Sequence, residues 1–194
     1  ADVTWDTVDE ASSGSIAYTA GSGDITLLSS GYYLVCANTH LKRTDSLEFS
    51  GTPSSATRMG ATQRLTLNGA PLVGSYTTTY LRGNQDSEQT DDGTLVIGMI
   101  VKAAAGDVLS VEHQRENSPT TYRIIGGKTG VAVLRLPATA AVARLEDTLG
   151  QDLNQGTSGG DASPPVPVAF RAQAEPPAAV FAHDTNGVAS QVAV

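Results

Sequence analysis

The side chains of this 194-residue chain best suited to chemistry are three histidines, one cysteine and a run of carboxylates. Nucleophilic catalysis needs a nucleophile, a base within hydrogen-bond reach and a group that orients the base. His40, His113 and His183 stand apart from one another, and none lies in a nucleophile-elbow, metalloprotease or phosphate-loop pattern. The segment Gly126-Gly127-Lys128-Thr129-Gly130 has the Gly-Lys-Thr of a phosphate-binding loop. The glycine that would open that loop should stand at position 122, which is Tyr122, and an apolar run follows where a helix should begin. A hairpin turn is the expectation there. Cys36 is alone, so it forms no disulfide within the chain, and the apolar run Tyr33-Leu34-Val35-Cys36-Ala37 predicts a buried, space-filling thiol. His40 shares its strand face but lies about 13 Å along the chain, too far to activate it. Asp86, Glu88, Asp91 and Asp92 are candidate oxygen ligands for a hard cation such as Ca²⁺, although they lack the regular spacing of a calcium loop and read equally as a solvated turn. Asp6, Asp9 and Glu10 have the same plain reading. The expectation is a protein without catalytic residues, cofactor or resident metal.

Charge narrows the partners. Twenty acidic against 12 basic residues give a formal charge of −8, which opposes the counterion release that drives binding to DNA or RNA. Only residues 101–150 are locally basic, through Lys102, Arg115, Arg123, Lys128, Arg135 and Arg144, a place to contact an acidic neighbour or another copy. No run approaches the ~18 apolar residues of a membrane-spanning helix. The start, Ala1-Asp2-Val3-Thr4, has no basic segment leading into an apolar one, so the expectation is a soluble protein made in a reducing cytoplasm.

The elements that must position these residues are short strands. Residues 1–136 alternate apolar and polar side chains between turn residues, as in Arg64-Leu65-Thr66-Leu67-Asn68, and predict an antiparallel β-sandwich or barrel. Thr94-Leu95-Val96-Ile97-Gly98-Met99-Ile100-Val101 is apolar almost throughout and predicts a strand buried on both faces, of the kind found at subunit interfaces. Beyond Pro137 the composition changes. Val142, Leu145, Leu149 and Leu153 recur every three or four residues and predict one short amphipathic helix within 137–155. Residues 156–167, rich in Gly, Ser and Pro, form a tether. Residues 168–194 then read as strands, with apolar contacts expected from Val168, Phe170, Val180 and Phe181, but are too few to fold alone.

The order of motifs in residues 3–136 resembles the jelly roll of complement globular-head and tumour-necrosis-factor-like domains. The similarity is carried by Val3-Thr4-Trp5-Asp6-Thr7-Val8, by Gly31-Tyr32-Tyr33-Leu34-Val35 after the strand Ile25 to Leu28, and by Leu65-Thr66-Leu67-Asn68-Gly69. Gly93-Thr94-Leu95-Val96, Ala105-Gly106-Asp107-Val108-Leu109 and Gly130 to Leu136 follow in the same order. The resemblance implies an antiparallel jelly-roll sandwich and a homotrimer, with Tyr33, Leu95, Ile97 and Met99 as candidates for the three-fold axis. It also implies an opening strand like Val-Ala-Phe-Arg-Ala. That sequence occurs here only at Val168-Ala169-Phe170-Arg171-Ala172, where it either begins a second head or supplies a strand to this head or a neighbouring one. Few aromatics, no collagen-like stalk and a tethered tail make the chain look like a bacteriophage virion protein. The function expected is therefore a trimeric capsid decoration (cement) protein on the outer surface of a phage head. Its partners would be itself and the major capsid protein or another virion protein, with no nucleic acid and no membrane. A trimeric ligand-recognition head for sugar or protein, for example on a fibre, is the alternative.

Overall fold

A computed structural model describes residues 2–5, 14–44, 58–82, 92–116, 122–140, 142, 144–146, 172–175, 181–183 and 189–191. The chain divides into two compact units, Ala1–Ala138 and Thr139–Val194.

The first unit is an antiparallel sandwich. One sheet contains β1 (Ile16–Tyr18), β2 (Asp24–Leu27), β4 (Arg58–Leu67), β5 (Ala70–Pro71), β6 (Thr77–Arg82) and β8 (Asp107–Glu116), in the order β1-β2-β8-β4, with β4 continuing to both β5 and β6. The other contains β3 (Gly31–Arg43), β7 (Asp92–Ala103), β9 (Tyr122–Ile124) and β10 (Gly130–Arg135), ordered β10-β3-β7 with β9 also on β3. The chain changes sheet from β2 to β3, β3 to β4, β6 to β7, β7 to β8 and β8 to β9. These crossovers make the Greek-key connectivity of a jelly roll.

Alternation along β3 decides which face is inside. Tyr33, Val35, Ala37, Thr39, Leu41 and Arg43 are buried, and the residues between them point away from the core. From the opposite sheet, Ile25, Leu27, Leu65, Leu109 and Val111 close on Tyr33, Val35 and Ala37. A second cluster gathers Leu41, Met59, Ala61, Leu81 and Leu95. Inward-pointing Thr39, Gln63 and His113, all buried, add polar side chains to this interior. Asn68 and Gly69, with φ of 53° and 76°, make the two-residue turn between β4 and β5, where both positions need the left-handed region. Asn68 then acts as a clamp: its amide donates to Asp107 Oδ1 at 2.9 Å while its Oδ1 accepts from Val108 N at 2.8 Å. With the Ala104 N–H as a further donor, these bonds hold the Asp107 carboxyl below the usual carboxylate range.

Three sequence expectations are corrected. Cys36 is exposed, because Tyr33, Val35 and Ala37 set the inward register of β3 and leave position 36 outside. The turn at 126–129 is not a hairpin. β9 and β10 both pair antiparallel with β3, at 41–43 and 33–38, so they run in the same direction along one edge with the turn as an excursion between them. In the second unit Arg144–Glu146 is a strand, β11, paired with β12 (Ala172–Glu175), where a helix was expected. Ala143-Arg144-Leu145-Glu146 also alternates with a period of two, so the local pattern permits either structure. The rest of that expected helix and the tether lie outside the described residues. β13 (Phe181–His183) pairs with β14 (Ala189–Gln191).

Candidate interaction surface

Within the single chain β7 is buried on one face only. Leu95, Ile97, Val101 and Ala103 face the core, whereas Val96 is 64% exposed and Gly98 is also exposed. Its outward residues join those of β3 and β10 in register. Leu134, Leu34 and Ile100 form one row, Ala132, Cys36 and Gly98 the next, and Gly130, Asn38 and Val96 a third. Leu134 is 60% exposed and Leu34 36%. Neighbouring strands lie about 4.8 Å apart, so Leu134, Leu34 and Ile100 form a continuous apolar row with the small residues of the second row beside it, and Asn38 separates Val96 from Gly130 in the third. Fully burying an aliphatic side chain contributes about 1.5–3 kcal/mol, so covering the exposed parts of Leu34, Val96 and Leu134 would contribute about 2–5 kcal/mol per subunit.

Polar groups edge this patch. His40 Nδ1 lies 3.0 Å from Thr94 Oγ1 and its Nε2 lies 3.4 Å from Asp92, an exposed pairing of small energetic weight. Asn38 donates to Lys128 O at 2.9 Å, and at the other end Lys102 Nζ sits 5.7 Å from the Tyr32 ring centre.

Of the side chains expected at a three-fold axis, Tyr33, Leu95 and Ile97 are buried within one protomer, and Met99 packs against its core. They are core residues, because strand parity turns them inward. Positions 34, 96, 100 and 134 are the ones presented outward. Of the candidate cation ligands, Asp92 stands beside His40, while Asp86, Glu88 and Asp91 lie outside the described residues. Among the described residues no group of three or more His, Cys, Asp or Glu side chains is placed to hold a metal ion. Val168, Phe170 and Val180 also lie outside them, and Phe181 belongs to β13. No described helix is long and apolar enough to cross a membrane.

His113 is the most perturbed titratable side chain in the interior. It is 6% exposed, its Nε2 lies 3.1 Å from Thr39 Oγ1 across the sandwich, and burial lowers its pKa to about 4. The Tyr122 ring stands 6.4 Å away, and burial raises the pKa of that phenol. With its ring enclosed, His113 is a structural residue.

No family model matches the chain, and no curated protein matches it. Among solved structures it is similar to murine APRIL at pH 5.0, with 12% identity and a TM-score of 0.43 over 70% of this chain and 87% of that one. Eiger TNF from S. frugiperda has 13% identity and a TM-score of 0.39 over 70% and 74% of the two chains. For bushbaby GITRL the values are 15% and 0.34 over 64% and 77%. The jelly-roll assignment stands on the strand order and pairings above.

Proposed function

We propose that the chain is a homotrimeric structural protein, a decoration protein of a phage head, whose subunits associate through the outer face of β10-β3-β7. The observation that carries this reading is the patch of Leu34, Val96, Ile100 and Leu134, an apolar surface on strands whose other face already forms the core. A ring of three needs a heterologous contact, so this face on one subunit packs against a different patch on the next. The virion role adds the Ala-, Thr- and Gly-rich composition, the acidic charge and the Gly/Ser/Pro tether, which suit an extended arm that reaches neighbouring subunits.

Sedimentation equilibrium tests the assembly. The expected species has the mass of three chains, and Val96→Asp with Leu134→Asp converts it to monomer without loss of β structure. Co-sedimentation with undecorated phage heads tests the virion role, with saturation at a fixed number of trimers per head. A monomeric wild-type protein at tens of micromolar overturns the first part, and a trimer that ignores heads overturns the second.

A further inference from the structure

The interior of the sandwich is divided. Inward positions run Ala37, Thr39, Leu41 on β3 and Ala61, Gln63, Leu65 on β4, so a buried polar side chain interrupts each strand. His113 pairs in register with Gln63 and follows Val111 on the inward face of β8, and Thr77 of β6 lies opposite Gln63. His113 Nε2 lies 3.1 Å from Thr39 Oγ1, which joins the two halves of this polar layer across the sandwich. On one side of it stand Leu27, Tyr33, Val35, Leu65, Leu109 and their neighbours, thirteen buried residues among those described. On the other are five, Leu41, Met59, Ala61, Leu81 and Leu95, with buried Arg43 two positions beyond Leu41. The clusters stay joined in two places. Ile97 follows Leu95 at the next inward position of β7, and Ile124 of β9 packs against both.

Burial stabilises in proportion to apolar area, so five side chains, one of them alanine, hold their end less firmly than thirteen hold the other. The layer between them adds little cohesion. Both polar atoms of the Gln63 amide lack a partner among the described residues, and a buried group in that state opposes closure until water reaches it.

We propose that the sandwich opens in two stages, the end holding Leu41, Met59, Leu81 and Leu95 separating along the Thr39–Gln63–His113 layer while the larger cluster stays closed. The first stage gives up the Thr39–His113 contact and the smaller cluster, and it hydrates the Gln63 amide. The connections β3–β4, β6–β7 and β8–β9 all leave the sandwich at this end, where Arg43, Arg58, Arg82, Asp92, Glu116 and Tyr122 begin or finish their strands. Their anchoring points therefore move together without unfolding the rest of the head.

Native-state hydrogen exchange on the full chain tests this in the amides of β4, which passes through both clusters and lies in the sheet opposite the proposed apolar interface. Variants are compared at one oligomeric state, read by sedimentation. The expected result is that amides 60–62 share a single opening constant, at least 100-fold larger than that of amides 64–66 and less dependent on urea. Leu81→Ala removes contacts broken in both openings, so it raises both constants by the same factor, at least tenfold. Leu27→Ala removes contacts broken only in the complete opening, so it raises the constant for 64–66 at least tenfold and leaves that for 60–62 unchanged. Leu81→Val and Ile25→Val are the milder pair where an alanine variant does not fold. One opening constant along the whole strand overturns the proposal, as does a Leu27→Ala variant that raises both constants alike. Constants that fall residue by residue from the strand end inward show simple fraying and overturn it equally.

Discussion

Lowering the pH should weaken the fold through His113 in a calculable way. A group whose folded pKa lies below its unfolded value opposes folding as soon as the unfolded chain begins to take up protons. The free imidazole value is 6.5 and the folded value is about 4. Stability is therefore intact above pH 6.5, falls as pH drops through 6.5, and stops falling through this residue near pH 4. Two and a half pKa units at about 1.4 kcal/mol each give a limit of about 3 kcal/mol. Most of that is lost by pH 4.5. At about 3–5 °C per kcal/mol for a domain of this size, the melting temperature falls by about 10 °C. The carboxylates of the chain titrate over the same range, so the assay compares wild type with His113→Gln by calorimetry from pH 7.5 to 4.5. The variant gives up the Thr39 contact and starts less stable, yet its stability falls less steeply with acid. Parallel curves would refute the reasoning, as would His113 ring resonances that titrate near pH 6.5.

Four further outcomes are expected. Gly69→Val places a β-branched residue at φ 76° and should cost about 1–2 kcal/mol, read as a lower urea midpoint at unchanged slope. Gln63→Leu should raise the melting temperature by a few degrees, because both polar atoms of that buried amide lack a partner among the described residues and such a group costs about 1–3 kcal/mol. Cys36, centred on the apolar face, should react slowly with a thiol reagent at concentrations where chains associate and quickly in Leu134→Asp. Asn68→Ala removes three roles at once, the φ-tolerant turn residue, the Asp107 donor and the Val108 acceptor, and should lower stability by about 1–3 kcal/mol in thermal melts.

Much of the head was legible because a strand writes its burial with period two. Tyr33, Val35, Ala37 and Leu41 recur at alternate positions along β3, and Asn68-Gly69 specifies its turn because both residues tolerate the left-handed region that most others avoid. β7 was harder: a strand apolar on both faces looks the same whether its second face meets its own chain or nothing in it. Parity was the missing quantity, and the partner strand supplies it, since Leu34 opposite Ile100 points out only because Tyr33 opposite Val101 points in. The grouping of side chains across β6, β4 and β8 was invisible for a related reason. Tyr76, Arg64, Glu112 and Glu116 are far apart in sequence, and register alone brings them together. At 144–146 the apolar spacing satisfied helix and strand alike, and pairing with Ala172–Glu175 decided it.

The excursion at Gly126–Thr129 has an engineering consequence. β9 and β10 are each fastened to β3 by their own hydrogen bonds, so the register of neither depends on the length of chain between them. Thr129 is held by His40 N and Ile125 O, and Lys128 by Asn38, but exposed Gly126 and Gly127 bear no such ties among the described residues. A peptide inserted between these two glycines would leave the sandwich as an outward loop, at a closure cost that rises only by about 0.6 kcal/mol per doubling of its length. That junction is the place to graft an epitope or affinity tag onto this fold.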